Sequence, residues 1–296
     1  PKQFLAQLDN FYSCGNYGDP AFANDCLEIY SYVRECNPTV RLGIHTNGGM
    51  RNPEWWTKLA QHNIDVAFAV DGFKGKHELY RKNTKFDKVI ENLKAFCDAG
   101  GIARVDSLVF EHNEHEVDEL ESYLLSLGVQ EVNFVSTTRF YEMKEFEVHD
   151  NNGNVEYTIA PAQTERFKKT PNNSLNALVD PAVRNAAVES AIIEPKCVTE
   201  KGVYIDPYGN IFPCCWIGGE YIEQPVEEKL PIHYLRNLSV NNTKTILKTV
   251  GVPNCHDAVL NTNENLFKKM PDFWQGKNKC LTCVKVCSKA LYDSRK

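Results

Sequence analysis

Short β-like runs alternate with amphipathic helical stretches over the first 140 residues, and no other feature of the sequence constrains the fold as strongly. The predicted strands are Leu8–Gly15, Val40–Gly48, Ile64–Gly72, Ile102–Phe110 and Glu131–Ser136. The predicted helices between them are Asn24–Cys36, Glu54–His62, Phe86–Ala99 and Glu116–Leu127. Strands interleaved with helices form βαβ units, and the strands of such units are parallel. We therefore expect an α/β fold built on a parallel sheet or barrel.

This alternation stops near Tyr141, where the sequence becomes polar and rich in Asn and Pro. At 296 residues, with 42% hydrophobic and 24% charged residues, the chain has an ordinary globular composition and room for a large and a small domain. We expect an α/β domain over 1–140, a connecting segment over 141–194 and a cysteine-rich domain over 195–296.

The charge distribution argues against two classes of partner. The net charge is −6 and no block of Lys and Arg occurs, which is not typical of a nucleic-acid-binding surface. The sequence contains no apolar run of about 20 residues and no charged-then-apolar leader, so we expect no membrane span. We expect a cytoplasmic protein that binds neither nucleic acid nor membrane.

Each of the first four predicted strands ends in a loop of glycine and polar residues. The loops are CGNYGDP (14–20), HTNGG (45–49), VDGF (70–73) and FEHNEHE (110–116). Turn chemistry explains any one of them, since Gly, Asn and Asp favour turns. However, the carboxyl ends of parallel strands share one edge, where ligands bind. Four such loops at one edge predict a ligand site, with Asp19, Asn47 and Asp71 as acceptors for amino or hydroxyl groups.

The last of these loops also contains His112, Glu114 and His115, which are residue types that bind metals. Their spacing on a tight loop does not match the helical H-E-x-x-H pattern of zinc enzymes. We therefore expect a capping or hydrogen-bonding role for these side chains.

Seven of the eleven cysteines follow residue 196. The spacing Cys280-x2-Cys283 lets two thiolates bind one metal or cluster from a single turn. The sequence between Cys197 and Cys214 predicts a β-hairpin with strands Val203–Asp206 and Ile211–Pro213. Such a hairpin would bring the two cysteines close together. The spacing alone fits zinc and an iron–sulfur cluster equally well.

These cysteines resemble the C-terminal SPASM or twitch domain of radical S-adenosylmethionine (SAM) enzymes. Cys197, eleven residues, Gly209, four residues and Cys214 match the start of the family pattern. The family pattern continues with further cysteines, whereas this sequence has none after Cys287. The resemblance therefore implies one auxiliary [4Fe-4S] cluster, with zinc as the alternative. It implies Cys197, Cys214, Cys280 and Cys283 as ligands. Further candidates for a ligand are Cys287, Cys255 and Cys215.

The strand-end loops resemble the SAM-binding motifs of the same family. YGDP, with Tyr17, Gly18 and Asp19, is similar to the family's GGEP motif, which holds the SAM amino group. HTNG, with Thr46 and Asn47, is similar to its TNG motif. VDG, with Asp71, is similar to a motif near the ribose and carboxylate. By the same resemblance, the segment from Val109 to Asn113 lies near the adenosine.

The family's C-x3-C-x2-C motif, which holds the cluster that cleaves SAM, does not occur in the sequence. Either the chain is an N-terminally shortened piece of an enzyme, which we favour, or it is a homologue that has lost the chemistry. The resemblance therefore implies a partial (β/α)6 TIM-like barrel without its first βα unit, followed by a small α+β SPASM/twitch domain. A SAM-cleaving [4Fe-4S] cluster requires upstream residues.

For a complete protein, the resemblance implies a radical SAM oxidoreductase or maturase. Its cluster and SAM would generate a 5′-deoxyadenosyl radical that abstracts a substrate hydrogen. The expected substrate is a peptide or protein, or else a small molecule, and the electron donor is a flavodoxin or ferredoxin. The alternatives are a non-catalytic radical-SAM-like protein and a zinc-stabilised binding module.

Overall fold

The computed structural model describes residues 2–137, 140, 145–168, 178–225, 231–255, 266, 268–276 and 278–288. The chain forms two compact units, Pro1–Pro171 and Asn172–Lys296. The domain boundaries predicted from the sequence stay predictions. No helix among the residues described is long and apolar enough to cross a membrane.

The first unit contains a five-stranded parallel sheet in the order β1-β2-β3-β4-β5, as the sequence predicts. The strands are β1 (Asn10–Ser13), β2 (Arg41–Thr46), β3 (Ile64–Ala69), β4 (Ile102–Val109) and β5 (Glu131–Ser136). Neighbouring strands are consecutive in the chain, which is the strand order of a (β/α) barrel segment. Closure into a barrel stays a prediction.

Helices connect these strands. They are α1 (Lys2–Leu5), α2 (Cys26–Cys36), α3 (Pro53–Ala60), α4 (His77–Tyr80), α5 (Phe86–Asp98) and α6 (Val117–Ser126), with a 3-10 helix at Pro20–Phe22. Apolar residues of α2, α3, α5 and α6 pack with alternate strand residues such as Ile44, Phe68 and Val105. One face of the sheet is therefore buried under helices.

A β-hairpin occupies part of the segment predicted to be a connection. Its strands are β6 (Phe146–His149) and β7 (Val155–Ile159), which pair antiparallel. The Asp150 carboxylate accepts hydrogen bonds from the backbone N–H groups of Asn152 and Asn154 at the turn. The sequence alone predicts no strand in this segment.

The second unit contains five helices and a short hairpin in its described part. The helices are α7 (Pro181–Ser190), α8 (Lys196–Thr199), α9 (Cys215–Ile222), α10 (Pro231–Val250) and α11 (Leu281–Cys287). The hairpin strands are β8 (Tyr204–Ile205) and β9 (Ile211–Phe212), and a 3-10 helix spans Met270–Trp274. The hairpin between Cys197 and Cys214 agrees with its prediction.

Candidate functional site

Asp19 joins the loops that follow β1 and β2. Its Oδ1 accepts a hydrogen bond from the Ala21 N–H (3.0 Å) and so caps the 3-10 helix. Its Oδ2 accepts from the Thr46 hydroxyl (2.9 Å) and from the Asn47 N–H (2.6 Å). Three of the predicted cofactor residues, Asp19, Thr46 and Asn47, are therefore in direct contact.

Gly18 makes the turn before Asp19 with a φ of +130°, a backbone conformation that L side chains rarely adopt. A Cβ built at this position meets no atom within 4 Å. The backbone of the Tyr17–Gly18 turn thus borders open space, and a ligand can approach it closely.

Replacing Asp19 with alanine is expected to loosen both loops, because it removes three charge-assisted hydrogen bonds. The free energy of unfolding should fall by about 2 kcal/mol, as measured by urea denaturation. The matched control is Asp25→Ala, since Asp25 is an exposed helix N-cap whose carboxylate makes no capping hydrogen bond. Equal midpoints for the two variants would contradict the role assigned to Asp19.

Asp71 joins the loops that follow β3 and β4, and its side chain is fully buried. Its Oδ1 accepts from the Leu108 N–H (2.6 Å), and its Oδ2 accepts from Arg81 Nε (2.6 Å). Asn113 donates to the carbonyls of Asp71 (3.1 Å) and Leu108 (2.9 Å) and accepts from the Phe110 N–H (2.7 Å). The predicted residues Asp71 and Asn113 therefore meet, with their polar atoms bonded within the protein.

Val109, another predicted cofactor residue, is buried on the helix-covered side and packs against Val117 and Phe167. Nearby, His77 accepts a hydrogen bond from the Asp71 N–H at Nδ1 (3.1 Å), so its proton is on Nε2, which contacts Thr84 Oγ1 (2.9 Å). Burial lowers the pKa of His77, which keeps the ring neutral. These residues support the loops.

The uncovered face of the sheet contains a polar cluster that sequence reasoning missed. Arg104 contacts the Tyr12 hydroxyl (3.2 Å) and His45 Nε2 (3.1 Å). Asp106 contacts the same His45 nitrogen (3.3 Å) and accepts from Asn133 (3.2 Å). We call this set, from β1, β2, β4 and β5, the open-face cluster. Its sequence signal is that polar residues alternate with buried ones along β4.

Burial shapes the protonation of two members of the open-face cluster. It lowers the pKa of His45, although the Asp106 carboxylate opposes this effect. It raises the pKa of Tyr12 to about 12, although the Arg104 guanidinium opposes it. The Tyr12 ring lies over Gly43, where a Cβ would come within 2.3 Å of a ring carbon. The cluster therefore presents a neutral imidazole and a phenol between a guanidinium and a carboxylate.

The loop that contains His112, Glu114 and His115 is attached to the segment after β7 by hydrogen bonds. Glu114 is buried, and its Oε2 accepts from the N–H groups of Gln163 and Thr164 (2.8 Å each). Burial would raise the pKa of Glu114, but these hydrogen bonds hold it below its usual value. His112 stacks on Phe110 with ring centroids 5.2 Å apart. The hydrogen-bonding role expected from the loop spacing is thus found at Glu114.

The five cysteines predicted as metal ligands lie in one region of the second unit. Cys280 and Cys283 are buried in its apolar core, and Cys214 packs against the same core. The Cys197 thiol is influenced electrostatically by Cys287 and Cys280, and the Cys214 thiol by Cys197 and Cys287. Among the described side chains, no three His, Cys, Asp or Glu are placed to hold a metal ion. Cys214, Cys280 and Cys283 therefore share one core, while ligation of a metal or cluster by the predicted cysteines stays a prediction.

Burial affects the acidity of these thiols. It raises the pKa of Cys197, and it raises the pKa of Cys214 to about 11. The hydrogen bond with Cys283 lowers the pKa of Cys280, whereas the same bond, together with burial, raises the pKa of Cys283. Metal ligation requires deprotonated thiols, so a cation that binds here would displace these protons to solvent.

The two remaining candidate ligands lie beside this region. Cys255 is exposed, and its N–H donates to the Gly209 carbonyl (2.8 Å) at the turn of the β8–β9 hairpin. Cys215 is half-buried at the start of α9, directly after Cys214. Asp206 fixes the hairpin turn by accepting from the N–H groups of Tyr208 and Asn210 (2.9 Å each).

Comparison with known proteins gives only weak similarities. No family model matches the sequence, and no curated protein matches it. Streptococcus suis SuiB bound to S-adenosylmethionine is 13% identical, with a TM-score of 0.42, and the match covers 76% of this chain and 54% of SuiB. SuiB bound to precursor peptide SuiA is also 13% identical, with a TM-score of 0.44, and this match covers 77% of this chain and 54% of SuiB. Native anSMEcpe with bound AdoMet and Kp18Cys peptide is 13% identical, with a TM-score of 0.43, and the match covers 82% of this chain and 73% of anSMEcpe. The chain thus spans about half the length of SuiB, and TM-scores this low do not assign it to a family.

Proposed function

We propose that this chain is a radical SAM-type enzyme, or a piece of one, that modifies a peptide or protein. The observation that supports the proposal is that Cys214, Cys280 and Cys283 meet at one apolar core of the second unit. The same chain contains a five-stranded parallel sheet whose strand-end loops are tied together in pairs. The sequence predicts the sheet from the alternation of its strands and helices, and the family resemblance implies the cysteine ligands.

The strand-end loops would hold the SAM molecule. The Asp19 carboxylate is occupied by Thr46 and Asn47, and Asp71 is buried with Arg81. These carboxylates would therefore position the loop backbones, and backbone groups near Gly18 would contact the cofactor. This differs from the direct contact with the SAM amino group that the resemblance implies for Asp19.

When bound, a SAM-cleaving cluster and SAM supply a 5′-deoxyadenosyl radical for hydrogen abstraction. Such a cluster needs a C-x3-C-x2-C motif from residues preceding Pro1. The open-face cluster would bind the substrate. Arg104 would donate hydrogen bonds to substrate oxygens, and neutral His45 could accept a proton at Nε2, with Asp106 stabilising the protonated ring.

The donor chemistry of the cysteine region suits an iron–sulfur cluster. No cysteine forms a disulfide in the described part of the chain, and five lie on three segments of the second unit, with Cys280 and Cys283 buried. Thiolates from Cys197, Cys214, Cys280 and Cys283, with Cys287 in reserve, would hold an auxiliary [4Fe-4S] cluster.

Anaerobic reconstitution of the chain tests this proposal. We expect about four iron and four sulfide per chain, and an EPR signal on reduction. Cys283→Ser should lose most of the iron, whereas Cys97→Ser, in α5 of the first unit, should keep it. One zinc with no sulfide would contradict the proposal and favour the zinc-stabilised binding module.

Calorimetry of SAM binding tests the assignment of the strand-end loops. Asp19→Ala should weaken SAM binding about tenfold or more, because the loops it holds would no longer be ordered before binding. Asp25→Ala should bind SAM like the wild type. Unchanged affinity in Asp19→Ala would contradict the assignment of these loops to SAM.

A further inference from the structure

A small residue lies between the members of the open-face cluster. Ala67 of β3 pairs with His45 of β2 on one side and with Arg104 of β4 on the other, so the three residues share one row across the sheet. Arg104 reaches over the methyl group of Ala67 to contact His45 and the Tyr12 hydroxyl. The side chain of His45 is 45% exposed. Because both faces of a parallel sheet are normally covered, this exposed polar row is a candidate ligand surface.

The guanidinium of Arg104 has neutral partners. Its Nη2 donates to the Tyr12 hydroxyl (3.2 Å) and to His45 Nε2 (3.1 Å). The residue paired with it on β5 is Glu131, but Arg104 forms no ion pair with Glu131 or with Asp106, both of which the structure describes. The positive charge is therefore held in a fixed orientation without a bound carboxylate.

The two hydrogen bonds of Arg104 determine how an anion can bind it. A carboxylate binds a guanidinium most strongly through two parallel N–H···O bonds. The planar group has two edges that can make such a pair, Nη1 with Nη2 and Nε with Nη2, and Nη2 belongs to both. Since both Nη2 protons are already donated, a bidentate carboxylate must displace Tyr12 or His45.

Displacement of His45 makes a new hydrogen bond possible. Arginine can only donate, so the His45 Nε2 that it contacts carries no proton. Asp106 Oδ2 lies 3.3 Å from the same nitrogen and can accept from it only after Nε2 is protonated. Once Arg104 is withdrawn, Nε2 can take up a proton from solvent and donate it to Asp106. The geometry thus supplies a replacement partner for His45.

We propose that the open-face cluster binds a substrate carboxylate at Arg104, and that binding is coupled to the uptake of a proton from solvent at His45 Nε2. This inference deepens the proposed substrate role of the cluster by naming the group that is recognised. An acidic side chain and the C-terminus of a peptide both present this group, and the experiment below distinguishes them.

The groups that face His45 determine the pH dependence of binding. They are Arg104 and Asp106 of β4 and Tyr12 of β1, while β3 contributes Ala67. Burial lowers the pKa of His45, Asp106 opposes this effect and Arg104 adds to it. A carboxylate that neutralises Arg104 raises the pKa of His45, so the bound state holds more protons than the free state. Affinity should therefore increase as the pH falls from about 8 to about 6.

Calorimetry of the chain with three small probes tests the site. N-acetylaspartate N-methylamide carries a side-chain carboxylate, N-acetylglycine carries a C-terminal one, and N-acetylasparagine N-methylamide is the uncharged control. We expect at least one carboxylate probe to bind about tenfold or more tightly than the asparagine probe. Its binding enthalpy should vary with the ionisation enthalpy of the buffer, because a proton is taken up.

Three variants assign the effect to named side chains. Arg104→Gln should lose about tenfold or more of the affinity for the carboxylate probe. Arg41→Gln is the matched control, since it removes an exposed arginine from the same face at the start of β2 and should bind like the wild type. His45→Gln should keep carboxylate binding and lose its dependence on the buffer.

The outcomes separate this inference from the function on which it rests. Equal affinities for the aspartate, glycine and asparagine probes, or equal affinities of Arg104→Gln and Arg41→Gln, overturn the carboxylate site. Binding with a buffer-independent enthalpy overturns the coupling to His45. The wild-type comparisons decide both questions even where a variant does not fold. Because no measurement here involves iron, a failed reconstitution would overturn the radical SAM proposal and leave these results intact.

Discussion

Asp71→Ala is expected to lower the stability of the first unit by about 3–5 kcal/mol. The substitution leaves the Arg81 guanidinium without its buried carboxylate and the Leu108 N–H without its acceptor. Removing the buried carboxylate is destabilising, because the Leu108 N–H loses its acceptor and the Arg81 side chain, which is 28% exposed, loses its charged partner. Urea denaturation measures the loss, and hydrogen exchange of peptides that include Leu108 locates it.

Two variants sharpen this test. Asp87→Ala also removes a carboxylate from an ion pair, but Asp87 and its partner Lys74 are both exposed, so its effect should be below about 1 kcal/mol. Asp71→Asn keeps an acceptor for the Leu108 N–H and should be less damaging than Asp71→Ala. Similar midpoints for Asp71→Ala and Asp87→Ala would overturn the view that Asp71 holds these loops.

Lys279→Met is expected to destabilise the second unit by about 3 kcal/mol. The buried Lys279 ammonium donates to the carbonyls of Val188 (2.9 Å), Glu189 (2.7 Å) and Ala191 (2.8 Å). These carbonyls belong to the C-terminal end of α7, where helical partners are absent and a cation also interacts favourably with the helix dipole. Methionine keeps the apolar stem and removes the donors.

Thermal unfolding of the apo chain checks the effect of Lys279→Met. Lys248→Met is the control, because Lys248 is exposed near the end of α10 and its loss should change stability by less than about 1 kcal/mol. Lys279 directly precedes Cys280, so the variant should also bind less iron. Equal melting temperatures for the two variants would show that the buried ammonium is dispensable.

The parallel sheet could be predicted from the sequence because each strand and helix has its own local periodicity. All five predicted strands contain an observed one, and differences are confined to the ends. The β6–β7 hairpin was missed because its strands are short and largely exposed, so burial leaves little alternation in them.

The candidate site could be predicted only in part. Its side chains make hydrogen bonds to residues that are distant in the sequence, and the sequence does not show which residues these are. The loop sequence suggested Asp71 as a ligand-binding acceptor, but Arg81 and the Leu108 backbone occupy its carboxylate. The open-face cluster requires the register of four strands, which spacing does not give. The cysteine ligand assignment stays a prediction, because cysteine spacing indicates which segments meet but not where their sulfur atoms point.

The paired loops at the sheet edge have a thermodynamic consequence for any molecule that binds there. Asp19 and Asp71 each fix two loops, so the conformational entropy of those loops is lost during folding rather than during binding. A ligand at this edge would then bind with a small entropic penalty and little structural change. Loss of either carboxylate would transfer that penalty to the binding step, where calorimetry would record it as a less favourable binding entropy.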